Sequence, residues 1–258
     1  KGTFMKTITF IGNGNMALSI AKGLKERYKL EVIGRDLEKL NRFEDEVGVK
    51  IEKILMDDSD IEGKTVMLCV KPANVEEIAA RIKGRAKVIY SVLAGTTVQK
   101  IKQNLNPYAV VRSMPNLAAS VGRSMTTLTG DDSYKDEAKE LLGAIGSTLW
   151  LASEKELDIA TGLAGSGPAY LTLIAEALAD GAVKQGMKRA DAMATMRGLF
   201  AGFGELIQEI HPALLKDGVM SPGGTTAAGY GALEDGNVRA ACMNAIEQAY
   251  KKAIELSK

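Results

Sequence analysis

The sequence predicts an α/β sheet followed by an all-helical region, and three observations predict it. Short β-branched runs recur through the first 152 residues, helix-length segments fill the gaps between the early runs, and after Trp150 the runs stop. This rhythm argues a largely parallel sheet covered by helices. The strands are read at TITFIG (7–12), LEVIG (30–34), TVMLCV (65–70), KVIYSV (87–92) and YAVVRSM (108–114), with SMTTLTG and STLWLA as two later ones. NMALSIAKGLKERY and LEKLNRFEDEVG have the length and patterning of the intervening helices. From Glu154 onward Ala, Leu, Met and Glu dominate, with breaks at GSGP (165–168), KQGMKR (184–189), HP (211–212), SPGG (221–224) and EDGN (234–237). Helical spacing between those breaks gives about five or six helices. The expected boundary is therefore a change of class, with residues 1–152 as one domain and 153–258 as the other.

Composition narrows the partners. Among 258 residues, 46% are apolar and 25% charged, which is ordinary for a globular chain with a core. Thirty-three basic against 32 acidic residues leave a net charge of +1, so the sequence offers no basic surface for nucleic acid or an anionic membrane. A small-molecule partner is expected instead. Cys69 and Cys242 are too few and too isolated for a disulfide framework or a zinc site, and no metal is expected; they read as buried free thiols. The opening KGTFMKTITFIG lacks a basic head followed by a long apolar segment, and the expected location is cytoplasmic. Lys1 to Phe4 read as residues ahead of a natural start at Met5.

The first chemical motif is TFIGNGNMA, a G-x-G-x-x-A pattern directly after a strand and at the head of a helix. Gly12 suits a tight turn, Gly14 lets backbone approach a pyrophosphate, and the small Ala17 lets helix pack on strand. A dinucleotide site follows. The end of the second strand carries IGRD, where an NAD enzyme would place an acidic residue on the ribose. Gly34 leaves room there and Arg35 can pair with a 2′-phosphate, so NADPH is preferred, with NADH as the alternative that Asp36 keeps open. CVKPANV places Lys71 and Pro72, and SVLAGTT places Ala94 and Gly95, after strands at the edge where ligands of parallel sheets gather.

What the chain lacks also bears on its chemistry. Hydride transfer to a ketone needs a proton donor for the developing alkoxide, yet the single histidine, His211, precedes a proline and reads as a capping or interface residue. An iminium acceptor takes hydride without that help, which favours C=N over C=O reduction. The loop VMSPGGTTAAGYGALE then acquires a role. Pro222, Gly223 and Gly224 free backbone N–H groups at a helix start, and Ser221, Thr225 and Thr226 add hydroxyls, a setting suited to a substrate carboxylate. The competing reading is a Ser/Thr-capped helix start with a glycine turn.

These blocks resemble the pyrroline-5-carboxylate reductases, from about Met5 to the carboxyl end: FIGNGNMA, CVKPANV, SVLAGTT, VVRSMPN, TGLAGSGPAY and DGVMSPGGTTAAGYGALE, in that order. The resemblance implies an amino-terminal Rossmann-type dinucleotide-binding domain followed by an all-helical dimerisation domain. It implies hydride transfer from NAD(P)H to 1-pyrroline-5-carboxylate, giving L-proline, the last step of proline biosynthesis. It implies cofactor contacts at Gly12, Asn13, Gly14, Asn15, Met16, Ala17, Arg35, Lys71, Pro72, Ala94, Gly95, Pro115 and Asn116. The substrate carboxylate is implied at Ser221, Gly224, Thr225 and Thr226, with the Thr226 hydroxyl near the imine nitrogen as the catalytic contact. Gly34 departs from the many members that carry a polar residue before the Arg.

Two other readings compete. A β-hydroxyacid dehydrogenase would need a catalytic Lys early in the helical domain, and GSGPAYLTLIAEALADGAVK has none before Lys184. A non-catalytic NADPH sensor would have no use for a second anion site. The helix over residues 169–183 is apolar save for Thr172, Glu176, Asp180 and Gly181, so it calls for cover on more than one side. A homodimer through the carboxy-terminal helices supplies that cover, and the resemblance extends the assembly to a decamer.

Overall fold

The structure, a computed structural model, describes residues 5–257; Lys1 to Phe4, read above as preceding the natural start, lie outside the described residues. Eight strands form one sheet in the order β3-β2-β1-β4-β5-β6-β7-β8. They are β1 (Thr7–Ile11), β2 (Lys29–Gly34), β3 (Glu52–Leu55), β4 (Thr65–Leu68), β5 (Val88–Ser91), β6 (Ala109–Met114), β7 (Ser124–Gly130) and β8 (Gly146–Trp150). The first six run parallel, β7 lies antiparallel to β6, and β8 lies parallel to β7. All seven strands expected from the sequence are present, and β3 is an addition. Its EKIL is half-buried at the sheet edge, so it lacks the continuous apolar run that marks the central strands.

The helices α1 (Asn15–Leu24), α2 (Leu37–Val47), α3 (Val75–Ala79), α4 (Val98–Leu105) and α5 (Lys135–Gly143) cover the two faces. On one face Phe10, Ala17, Ile20, Leu40, Phe43, Tyr90 and Leu141 share a core. On the other, Ile11, Ile33, Leu68, Ile78, Ile89 and Ile101 form a second. Burial without partners is costly, and among the described residues only Arg112 Nε and Thr127 Oγ1 are buried side-chain polar atoms that lack one. Thr9 Oγ1 donates to Glu31 at 2.9 Å, and Lys64 meets the same carboxylate at 2.7 Å.

After β8 the chain is helical: α6 (Glu154–Ala160), a π-turn at Thr161–Gly165, α7 (Gly167–Lys184), α8 (Arg189–Glu209), α9 (Pro212–Val219), α10 (Thr225–Asp235) and α11 (Val238–Ser257). The chain divides into two compact units, Lys1–Ser166 with Gln248–Lys258, and Gly167–Glu247. Strand gives way to helix where expected, whereas compactness divides the chain later. The reason is α6, which is tied to the sheet through the buried Arg112 of β6. In the second unit only Ala179 and Ala192 are buried among the described residues. Cys242 is exposed there, contrary to the expectation of a buried thiol, because this unit encloses so little of its own surface. Among the described residues no helix is long and apolar enough to cross a membrane.

Candidate active site

The sheet order reverses between β1 and β4, and in open parallel sheets ligands bind at the carboxyl ends of strands flanking such a switch. Two turns meet there. Gly12 leaves β1 with φ near +100°, and a Cβ on it would stand 2.4 Å from the Cys69 carbonyl oxygen. That approach cannot relax, because the Cys69 N–H donates to Ile11 O at 2.9 Å and the Gly12 N–H donates to Ile33 O at 3.0 Å. Gly14 serves differently. Its backbone is extended, but no atom lies within 4 Å of where its Cβ would be, so the head of α1 is open to a ligand. Gly14 is also the N-cap residue, and no side chain caps the helix. The first N–H groups therefore remain for an anion. Ala17 is fully buried, as the tight helix-to-strand packing demands.

An open cleft with about 520 Å³ of empty space lies beside this turn. Gly12, Asn13, Gly14, Arg35 and Lys71 border it, together with Ile33, Met56, Val70 and Ile78 as apolar walls. The Lys71 ammonium is exposed, with no acidic partner among the described residues. Cys69, only partly buried where the sequence suggested a buried thiol, also borders the cleft, and desolvation pushes its thiol pKa up, which keeps it neutral there. Asn15 borders a second opening on the α2 side of the glycine turn, alongside Lys39 and Arg42. Met16 packs partly buried against the core, and Pro72 opens the short turn of residues 72–74.

The two charged residues at the end of β2 have different partners. Asp36 is the N-cap of α2, its carboxylate accepting from the N–H groups of Glu38 at 3.0 Å and Lys39 at 3.2 Å. It is thereby engaged in capping. A Cβ on Gly34 would sit 2.7 Å from Leu40 Cδ2, so a larger residue there would have to push the tip of the Leu40 side chain aside. Arg35 points along the cleft lip, where its Nη1 meets the Glu77 carboxylate at 3.3 and 3.4 Å. Sequence reasoning missed Met56, Asn74, Glu77 and Ile78; the segment KPANVEEIAA follows the β4 turn closely enough to have suggested the last three.

The other residues expected near the cofactor take more structural parts. Ala94 is half-buried, and Gly95 is buried with φ near +64°; its Cβ would stand 2.6 Å from Leu256 Cβ in the last turn of α11. Pro115 is buried. Asn116 accepts from the Ala118 N–H at 3.1 Å and donates through Nδ2 to Ala164 O at 3.0 Å, joining the end of β6 to the π-turn.

In the second unit, the loop before α10 turns at Gly223 with φ near +68°. The Gly224 N–H donates to Ser221 O at 3.0 Å, and a Cβ on Gly224 would fall 2.4 Å from Ser221 Oγ. Gly224 is the N-cap of α10, and no side chain caps that helix, so the capped-start reading is not what is seen. Ser221, Thr225 and Thr226 are exposed around this amino end. His211, as expected, caps: its Nδ1 accepts from the Ala213 N–H at 3.2 Å at the start of α9.

A parallel sheet with a glycine turn at its switch point, followed by a helical unit, defines an NAD(P)-dependent oxidoreductase of two-part construction. Known proteins agree for each part. Residues 7–95 match the family model for NADP oxidoreductases, coenzyme F420-dependent, and residues 154–256 match that for pyrroline-5-carboxylate reductase dimerisation. A pyrroline-5-carboxylate reductase of Synechocystis is 38% identical, with 76% of each chain covered. That of Thermus thermophilus is 36% identical across 96% of this chain and 98% of its own. Among solved structures, 1-pyrroline-5-carboxylate reductase from Streptococcus pyogenes superimposes with a TM-score of 0.84 at 30% identity, covering 96% of this chain and 98% of that one. The chain belongs to the pyrroline-5-carboxylate reductase family.

Proposed function

We propose that this chain reduces the cyclic imine of 1-pyrroline-5-carboxylate to L-proline, the last step of proline biosynthesis, with NADPH as the preferred donor. The observation that carries the cofactor assignment is the pairing of an open, uncapped α1 amino end with Arg35 on the lip of the same cleft. The cradle fits a dinucleotide: a Cβ at Gly12 would strike backbone, and Gly14 faces open space. The pyrophosphate falls to Gly12 through Ala17 and the exposed Lys71, and the apolar walls of Ile33, Met56 and Ile78 suit a nucleobase. The withdrawal of Asp36 into a helix cap supports NADPH, since no other acidic side chain precedes α2 at the end of β2.

When bound, a reduced nicotinamide cofactor supplies the hydride. The protein's own part is to hold and orient the imine. The amino end of α10 offers backbone N–H groups and a positive dipole end to the substrate carboxylate, with Ser221, Gly224, Thr225 and Thr226 around it. The Thr226 hydroxyl then hydrogen-bonds near the imine nitrogen. A protonated imine accepts hydride to give a neutral amine, so no buried acid is needed. The Nδ1 of His211, the single histidine, is engaged at its own helix start.

A homodimer through the carboxy-terminal helices belongs to the same reading, with the decamer as the higher assembly that the resemblance implies. It is supported by the second unit's lack of a core of its own, where Leu173 is 68% and Met243 is 70% exposed. A cytoplasmic setting is supported by the two free cysteines.

The test is the loss of NADPH absorbance on adding pyrroline-5-carboxylate, for the wild type and for Thr226→Val. Removing one hydrogen bond to a charged group costs about 1.5–3 kcal/mol, which lowers kcat/KM about ten- to hundredfold. NADP⁺ binding should be unchanged. Wild-type turnover in the variant would reject the loop as the substrate site.

A further inference from the structure

We propose that Glu77 sets how strongly the enzyme prefers a phosphorylated cofactor, by competing with the 2′-phosphate for Arg35. The inference rests on the cofactor reading above and adds a residue to it. Four charged side chains run in a row beside the cleft. Arg35 meets Glu77 at 3.3 Å, Glu77 meets Arg81 at 3.5 Å, and Arg81 makes a two-pronged pair with Asp57 at 2.7 and 2.9 Å. Ile78, next to Glu77 on α3, and Asn74, just before that helix, both border the cleft.

The two ends of this row are held unequally. Arg81 is fixed by its fork on Asp57 and is the less exposed guanidinium, at 33% against 56% for Arg35. Arg35 has Glu77 as its one acidic partner among the described residues, and that carboxylate is itself 48% exposed. An exposed single-pronged pair of this kind is weak, because water and salt screen it. A phosphate dianion offers a guanidinium a stronger, forked contact. Arg35 therefore exchanges Glu77 for the phosphate when the phosphorylated cofactor arrives. Glu77 is not stranded by the exchange, since Arg81 remains beside it.

The same carboxylate opposes the phosphate twice. It holds the cation that the phosphate needs, and its own charge repels the dianion. A cofactor with a 2′-hydroxyl meets neither obstacle, because Arg35 can stay on Glu77. Glu77 thus narrows the preference that Arg35 creates, and the NADPH-to-NADH ratio belongs to the pair of residues.

The test is calorimetric titration of NADP⁺ and NAD⁺ into wild type, Glu77→Gln, Arg35→Ala and the double variant, with thermal melts to confirm folding of these surface changes. Glu77→Gln should tighten NADP⁺ about two- to fivefold, the range of one exposed ion pair, and leave NAD⁺ within about twofold. In the Arg35→Ala background the gain should fall below about twofold. Weaker NADP⁺ binding in Glu77→Gln would overturn the proposal, because Glu77 would then be positioning Arg35 for the phosphate. Equal shifts for both nucleotides, or a full gain without Arg35, would overturn it as well. A wild type that binds both nucleotides but does not oxidise NADPH with pyrroline-5-carboxylate would sink the reaction and leave the selectivity result standing. One that binds neither would sink both.

Discussion

Arg112→Met should loosen α6 from the sheet. Arg112 lies in the middle of β6 with its side chain 1% exposed, and its two Nη atoms reach Glu154 at 2.8 Å and Asp158 at 2.9 Å. The two carboxylates are not equivalent. Glu154 is 37% exposed and also accepts the Val98 N–H at 2.9 Å, so it keeps water and a partner after the substitution. Asp158 is only 12% exposed and would be left as a buried charge without its cation. Breaking a buried pair from one side costs about 3–5 kcal/mol, and residual solvation of Asp158 brings this to about 2–4 kcal/mol. For a unit of this size that is a fall in Tm of about 5–15 °C. The wild-type cluster is itself imperfect, since Arg112 Nε is buried with no partner. Arg112→Met with Asp158→Leu should therefore recover most of the loss, because removing both charges also removes their desolvation penalty. Thermal melts followed by circular dichroism read both variants. A single variant within about 2 °C of wild type, or a double variant no more stable than the single, would refute the account of this cluster.

Two further outcomes follow from the sites. Arg35→Ala removes a charge-assisted contact worth about 1.5–3 kcal/mol, so KM for NADPH should rise about tenfold or more while KM for NADH stays nearly constant; equal losses for both would point to damage at the end of β2. Leu173→Asp should shift the dimer toward monomer in sedimentation, raising the dissociation constant at least about tenfold, and a wild type that sediments as an active monomer at micromolar concentration would reject the helical interface.

The strands were legible because central parallel strands are buried on both faces, which leaves apolar runs such as TVMLCV in the sequence. β3 escaped because an edge strand need bury little, and EKIL, two charged residues followed by two apolar ones, is too short to show a strand period. The glycine turn was legible for a related reason: only glycine tolerates the backbone at residue 12 and the nearby Cys69 carbonyl. The balance between Arg35 and Asp36 was not legible. Both residues are charged, adjacent and exposed, and only the direction of the Asp36 carboxylate, back onto the N–H groups of α2, separates them. Arg112 posed the opposite difficulty. A charged residue inside YAVVRSM looks like a defect in a strand until Glu154 and Asp158, more than forty positions later, come back to it.

The two expected anion sites share a construction that suits anionic ligands in so neutral a chain. With a net charge of +1 there is no excess of basic side chains to spend on them. At α1 and at α10 the N-cap residue is itself a glycine, Gly14 and Gly224, and each is preceded by a glycine with positive φ, Gly12 and Gly223. Four other helices carry a side-chain cap, Asp36, Thr97, Ser153 and His211 each accepting from an N–H in the first turn, whereas α3, α5 and α8 have none but start at Asn74, Tyr134 and Lys188 rather than at glycine. A serine or aspartate at residue 14 or 224 would satisfy those donors locally and, as aspartate, would repel the ligand. Glycine leaves them unsatisfied, and the helix dipole directs them toward whatever anion arrives. A glycine N-cap forgoes only a few tenths of a kcal/mol relative to a capping serine or aspartate, so each helix end is left open at little cost in stability. On the proposed reading the opening loop of α10 is unhelical for that reason: SPGG leaves the first turn of TTAAGYGALE without a side-chain cap, which suits the substrate carboxylate.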